Sequence, residues 1–183
     1  MFEDPKVRKI AEFAVDLELA DNHFPAYADS KISDQPSYYS RLALARNFGI
    51  PFREDRERKL EGLLWRILLN NTLPNPVPVA TTESKLHSWF EDAHVLVCRS
   101  AKPASFFSSI KAGHNGENHN HNDVGSFTLV LGDQILLGDP GGPNEYNSKT
   151  FSSSRYTEFK LFSSFGHPVP RVDGKDQIPG RKA

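Results

Sequence analysis

Residues 72–80 divide the chain, because prolines stand there at three alternate positions, 74, 76 and 78. Each proline fixes φ and lacks a backbone donor, so this stretch is extended and excludes a helix or a central strand. Apolar residues recur with a helical period before it and alternate after it. The sequence therefore predicts an α+β organisation, with a helical domain at residues 1–75 and a β domain at residues 76–183.

Three helices are predicted in the first domain. Asp4 can cap the first helix and Pro5 suits its first position, and apolar residues then follow one face. A second helix is predicted from Ser37 to Phe48, with Gly49 as its left-handed terminator. A third begins near Glu54.

The second domain reads as strands at residues 94–99, 105–112, 125–131 and 134–138, the last two joined by a hairpin turn at 132–133. With one or two more candidates, the strands are still too few for a β-sandwich of about seven strands. Three helices are likewise too few to enclose a large helical core. We therefore expect the chain to be a piece of something longer, containing the end of a helical domain and the start of a β domain.

Composition excludes several classes of function. Lys and Arg number 22 against 23 Asp and Glu, a net charge of −1, which argues against a nucleic-acid footprint. One cysteine excludes an internal disulfide and a multi-thiolate zinc site. No apolar run is long enough to span a bilayer, and charged residues throughout residues 1–20 exclude a secretory signal there.

Three of the seven histidines fall between residues 114 and 121. If this segment is extended, His119, His121 and Asp123 point to one side and the intervening asparagines to the other. Asp139, at the end of an apolar strand, and His167, before a proline, are the further donors. Two imidazoles and a carboxylate suit zinc.

Four interpretations of this cluster remain open at this point. It is a metal-supported polysaccharide site, a non-haem iron oxygenase triad of His121, Asp123 and His167, a carbohydrate-binding β-module with a structural metal, or an Asn/His-rich loop without metal. The helical layer that precedes the strands weakens the oxygenase interpretation, since such enzymes do not need one.

An ordered series of motifs carries a resemblance. The run 111–127 (KAGHNGENHNHNDVGSF) is followed by 132–142 (GDQILLGDPGG), 151–156 (FSSSRY) and Gly166-His167, and 24–30 (FPAYADS) lies upstream. Together they resemble heparinase II/III-like polysaccharide lyases, a family that includes alginate lyases. The resemblance implies the C-terminal helices of an α/α toroid followed by part of an antiparallel β-sandwich. It also implies β-elimination on a uronate-containing acidic polysaccharide, in the periplasm or outside the cell.

The resemblance also assigns residues. It implies that His119 and Tyr156 are catalytic and that His121, Asp139 and His167 bind zinc, which we expect to be chiefly architectural. We expect Asn118, Tyr146 and Arg155 to bind substrate. The toroid residues that neutralise the substrate carboxylate in the family lie upstream of the matched loop and are absent here. The expected partners are therefore an acidic polysaccharide and the missing remainder of the toroid and sandwich, and the isolated chain is expected to be inactive. The alternative is a catalytically incomplete carbohydrate-binding or structural remnant.

Overall fold

A computed structural model describes residues 3–20, 23–52, 85–101 and 105–180. These residues form two helices and a five-stranded antiparallel sheet, followed by short helical turns, which is the α+β organisation predicted from the sequence. The chain divides into two compact units. The first unit comprises Met1–Leu17 and Pro36–Lys85, and the second comprises Glu18–Gln35 and Leu86–Ala183.

The first unit contains helices α1 (Pro5–Asp16) and α2 (Tyr38–Phe48). The Asp4 side chain accepts the N–H of Lys6 at the start of α1, and Ser37 caps α2 in the same way. Gly49 ends α2 in the left-handed conformation, as predicted. The two helices pack through a core of Ala11, Val15, Leu42, Ala45, Phe48, Ile50 and Phe52. The predicted third helix and the proline-rich boundary lie outside the described residues.

The second unit is built on a meander of strands β1 (His87–Phe90), β2 (Val95–Cys98), β3 (Phe106–Lys111), β4 (Phe127–Leu131) and β5 (Gln134–Leu137). Four of these strands were predicted, and β1 was not. The turn between β4 and β5 lies at residues 132–133, where Gly132 takes φ +61°. Past β5 the chain forms a helical turn, α3 (Arg155–Glu158), and three 3-10 turns.

The two faces of the sheet differ. One face is buried and contains Val97, Ser109, Thr128 and Val130. The segment Glu18–Gln35 contacts this face, because the hydroxyl groups of Tyr27 and Ser109 lie 2.6 Å apart. The opposite face carries exposed apolar side chains. The buried face therefore positions the residues described next.

Among the described helices, none has both the length and the apolar character that a membrane crossing requires.

Candidate functional site

The histidine-rich loop between β3 and β4 is irregular rather than extended, which differs from the predicted alternation. Buried amides fold it instead. The Asn120 amide donates to the carbonyls of Asn115 and His121, and the Asn122 amide donates to the carbonyl of Gln177. His119 lies in the left-handed region at φ +58°, which is uncommon for a residue with a side chain. The loop consequently exposes His119 and buries His121.

Asp29 brings three predicted site residues together. Its carboxylate lies 2.7 Å from His119 Nδ1 and 3.2 Å from His121 Nε2, and the Tyr146 hydroxyl donates to it at 2.7 Å. Partial burial would raise the pKa of Asp29, but the hydrogen bonds from Tyr146, His119 and His121 outweigh it and hold that pKa below its ordinary value. His119 and His121, which were predicted to point to the same side, therefore both contact one carboxylate.

Tyr146 keeps its proton under ordinary conditions. Desolvation, followed by the hydrogen bond to Asp29 and the charge of that carboxylate, raises the pKa of Tyr146 to about 12. Its ring stacks on Phe151, with centroids 5.6 Å apart, and the Phe151 side chain is 70% exposed. The two rings form an exposed aromatic pair beside Asp29.

A second, buried series of contacts runs inward from His121. Its Nδ1 lies 3.2 Å from His167 Nε2, and His167 Nδ1 lies 2.9 and 3.0 Å from the two oxygens of Asp139. Asp139 also accepts from the Ser126 hydroxyl and the Gly141 N–H. Burial, and then the neighbouring His167, lower the pKa of His121 to about 4, so this imidazole is neutral at ordinary pH.

The three predicted zinc ligands are therefore brought together, as a series of close polar contacts. His121 and His167 turn one nitrogen toward each other, and the other nitrogen of each faces a carboxylate, Asp29 or Asp139. Histidines that bind metals have this support on their outer nitrogen. Both Asp139 oxygens, however, lie at the outer nitrogen of His167. Within the described ranges, no group of three or more His, Cys, Asp or Glu side chains is arranged to hold a metal ion.

Arg155 and Tyr156 contact the same loop from α3. The Arg155 guanidinium donates to the Asn120 carbonyl at 2.9 Å and to the Tyr156 hydroxyl at 2.8 Å. That hydroxyl in turn donates to the Asn120 side chain at 3.0 Å. The Tyr156 hydroxyl is thus hydrogen-bonded to the side chain of a loop residue, Asn120. The Tyr146 hydroxyl, in contrast, shares the Asp29 carboxylate with His119. Asn118 is exposed beside His119.

Asp123 lies outside this group of contacts. Lys111 Nζ is 3.2 Å from one of its oxygens, and the N–H of Ala28 donates to the other. Burial raises the pKa of Asp123, and the Lys111 charge opposes that rise. The contacts of Asp123 thus give the oxygenase triad no support.

Asp29 is the site residue that sequence reasoning missed. It lies 90 residues before His119, in the FPAYADS motif that carried part of the resemblance. The motif was a signal that this segment matters, but no sequence spacing indicated that Asp29 contacts the histidines.

Comparisons with known proteins bear on the fold. No family model matches the chain, and no curated protein matches it. Among solved structures, the crystal structure of heparinase III is similar, with a TM-score of 0.55 and 14% sequence identity over 92% of this chain. The match covers 26% of the heparinase III chain, so this chain spans about a quarter of that structure. The likeness is thus a distant resemblance in fold to part of heparinase III.

Proposed function

We propose that the chain is part of a polysaccharide lyase that performs β-elimination on a uronate-containing acidic polysaccharide. The observation that carries this proposal is the exposed His119, which shares the Asp29 carboxylate with the proton-bearing Tyr146 hydroxyl. The likeness to heparinase III supports it at the level of fold. In this proposal the helices are the end of an α/α toroid and the sheet is the beginning of a β-sandwich.

The reaction needs a base and an acid close together. The base takes the C5 proton, the electron pair forms the C4=C5 double bond, and the C4–O bond breaks as the leaving oxygen receives a proton. His119 suits the base, because Nδ1 faces Asp29 and the ring therefore directs Nε2 away from that carboxylate. Tyr146 is the candidate acid, because its hydroxyl carries a proton and lies on the same carboxylate as His119.

Tyr156 is the second candidate for proton transfer. Its hydroxyl lies between the Arg155 guanidinium and the Asn120 amide, so a positive charge adjoins it. In this proposal Arg155 and Asn118 contribute to substrate binding. Y146F and Y156F variants separate the two tyrosines, since only the proton-transferring one loses turnover when the hydroxyl is removed.

Zinc is a separate proposal, and no step above uses it. We propose that His121, Asp139 and His167 hold a zinc ion that fixes the loop carrying His119. Burial of all three side chains, their mutual contacts and the Asp29 carboxylate behind His121 support this role. In this proposal Asp139 would turn one oxygen from His167 Nδ1 to the metal. Zinc would supply rigidity to this part of the site.

The test is ultraviolet absorbance of unsaturated uronate, measured with the 183-residue chain against heparin, heparan, alginate and other acidic polysaccharides. H119A should abolish any product, whereas H87A, a matched change at an exposed histidine on β1, should not. Any product would overturn the expectation that the isolated chain is inactive. Absence of product, together with no retention of the chain on any of these polymers, would overturn the lyase proposal. Fractionation of the producing cells tests the periplasmic or extracellular location that accompanies it.

A non-catalytic carbohydrate-binding module is the second candidate. The exposed Tyr146–Phe151 pair favours it, because aromatic faces stack on sugar rings. Retention of the chain on an immobilised acidic polysaccharide without release of unsaturated product, and loss of that retention in F151A, would support this candidate over the lyase.

A further inference from the structure

We propose that Asp29 is the positioning residue of this site: it orients His119, His121 and Tyr146 together and keeps the proton of the His119 ring on Nδ1. The consequence of this role of Asp29 for turnover rests on the proposed lyase function. The effect of Asp29 on the His119 and His121 rings does not.

The contacts converge on one carboxylate. One oxygen, Oδ2, takes His119 Nδ1, and the other, Oδ1, takes both His121 Nε2 and the Tyr146 hydroxyl. An ionised carboxylate only accepts hydrogen bonds, so each ring nitrogen facing it carries a proton. Neutral His119 is then protonated on Nδ1 and presents the lone pair of Nε2, and neutral His121 is protonated on Nε2 and presents Nδ1 toward His167.

The segment that carries Asp29 is held from three sides. The Tyr27 hydroxyl bonds Ser109 on β3, and the Ala28 N–H donates to the buried carboxylate of Asp123. Ser30 accepts the N–H of Gly142 at 2.7 Å. Ala28 itself takes φ +52°, a conformation that costs energy in a residue with a side chain. Anchors on both sides of Asp29 therefore fix where its carboxylate lies.

Glycines allow this close approach. A Cβ on Gly142 would lie 2.7 Å from the Asp29 carbonyl oxygen and 2.8 Å from its Cα, and a Cβ on Gly141 would overlap the Ser30 carbonyl. The loop after β5 can therefore approach the backbone of Asp29 this closely only because residues 141 and 142 are glycines. The same loop contains Asp139, so the carboxylates that contact His121 and His167 lie on adjoining segments.

This arrangement follows the logic of a base oriented by a third group. A carboxylate on one imidazole nitrogen fixes the tautomer and the ring orientation, and the other nitrogen takes the substrate proton. Losing such an outer partner costs about 10- to 100-fold at histidines that bind metals, and about 10⁴-fold in kcat where the histidine is the base of a Ser-His-Asp triad. The structure adds a feature to that logic, because the same carboxylate also holds the candidate acid, Tyr146.

The experiment records the histidine tautomers of the whole chain by long-range ¹H–¹⁵N correlation, at a pH where imidazoles are neutral. The variants are D29N and D29A, with D34N and D34A as matched controls. Asp34 lies in the same segment and accepts the Lys31 N–H, outside the cluster. Each control therefore makes the same change of charge and size without touching His119, His121 or Tyr146.

In wild type we expect His119 protonated on Nδ1 and His121 on Nε2, and in D29A we expect His119 to show the tautomer mixture of an exposed histidine. In D29N one carboxylate oxygen becomes an NH2 group. If Oδ1 keeps its two donors, that NH2 group faces His119 Nδ1 and should favour the tautomer of His119 protonated on Nε2. If the chain is active, D29N should lower kcat at least about 10-fold, with a smaller change in KM.

Wild-type tautomers of both rings in D29A would overturn the role of Asp29, whether or not the chain cleaves polysaccharide. That role would also be overturned if D34A changed the tautomers as much as D29A did. Changed tautomers in D29A alone, in a chain that neither cleaves nor binds any of the polymers, would support the role of Asp29 and count against the lyase proposal instead.

Discussion

Asp139 is the residue on which the buried end of the site depends. Its side chain is buried and accepts from His167, Ser126 and Gly141. D139A leaves those donors buried without an acceptor, and each such donor costs about 1–3 kcal/mol. We expect the free energy of unfolding to fall by about 3 kcal/mol or more in urea titrations.

Zinc analysis of the same D139A sample tests the ligand assignment. If the three predicted ligands hold zinc, wild type should contain it and lose stability with a chelator, whereas D139A should have lost both the metal and the chelator effect. D133A, at the exposed turn between β4 and β5, is the matched control and should behave as wild type. Zinc retained by D139A would contradict the assignment of Asp139 as a ligand.

For individual residues, the sequence predicted which side chains within one motif lie together better than it predicted contacts between motifs that are far apart in the chain. His119 and His121 were predicted to share a side, and both rings contact Asp29. The reason differs from the prediction, because a positive φ at His119 and buried asparagines shape the loop, not strand alternation. Asp29 lay beyond local reasoning, since a contact across about 90 residues depends on how the segment Glu18–Gln35 lies on the sheet.

Among the elements, the loop that follows β5 depends on Gly141, which takes φ +70° against the Ser30 carbonyl. G141A adds both left-handed strain, about 1–2 kcal/mol, and a clash with backbone that costs about 1–3 kcal/mol. We expect a loss of about 3 kcal/mol in stability, together with weakened contacts of Asp29, measured by urea unfolding and by the His119 tautomer.

G174A separates these two costs. Gly174 has φ +68°, but no atom lies within 4 Å of its prospective Cβ. Its variant should therefore lose only the strain contribution of about 1–2 kcal/mol and keep the wild-type tautomer of His119. Equal losses in G141A and G174A would show that the close approach to Ser30 is unimportant.

Lys111, at the end of β3, joins the sheet to the loop that follows it. Its ammonium lies 3.2 Å from both Asp123 and Glu117, and its side chain is 7% exposed. K111M leaves the buried Asp123 without its cation, a change that costs about 3–5 kcal/mol when one partner of a buried pair is removed. Urea unfolding measures the loss.

K111M/D123N serves as the internal control for that prediction, because it removes the stranded charge and keeps an oxygen for the Ala28 N–H. The double variant should be more stable than K111M alone. K149M, at an exposed lysine, should change stability by less than about 0.5 kcal/mol. If K111M unfolds like K149M, the ion pair is not an important link between β3 and its loop.

Capping and turn residues made the elements themselves predictable. Asp4 and Gly49 were predicted to cap helix ends by local chemistry, and the structure confirms both. Ser37, predicted as the first residue of the second helix, is its N-cap. Strand β1 escaped prediction, because His87, Ser88, Trp89 and Phe90 carry little apolar alternation by themselves. It forms where its backbone pairs with β2, from His87 opposite Cys98 to Phe90 opposite Val95. Tertiary pairing, rather than local propensity, therefore defines that strand.

For the whole molecule, the order of helices before strands was predictable from the change in hydrophobic period, and the α+β class follows from it. Which segments of the chain belong to which compact unit was less predictable. Glu18–Gln35 lies between two helices in the chain but belongs to the same compact unit as the sheet. Its apolar residues, such as Leu19 and Ala26, are buried there. Nothing in their spacing distinguishes burial against a sheet from burial against a helix.

The sheet face opposite the site dominates how the 183-residue chain should behave in solution. Trp89, Phe106, Ile110, Leu131 and Leu137 lie on it by register, and each is between 36% and 58% exposed. A contiguous apolar patch of this kind binds hydrophobic dyes and promotes association. We therefore expect the folded chain to bind such a dye in the absence of denaturant.

Replacing Phe106 and Ile110 together by threonine tests this expectation, because threonine suits a strand and removes apolar surface. Dye fluorescence should fall while the unfolding midpoint in urea changes little. The control replaces Ile32 and Ile178, which are about as exposed as Phe106 but lie outside the strands, and it should leave the fluorescence near that of wild type. Equal dye binding by both double variants would mean that the sheet face does not act as one surface.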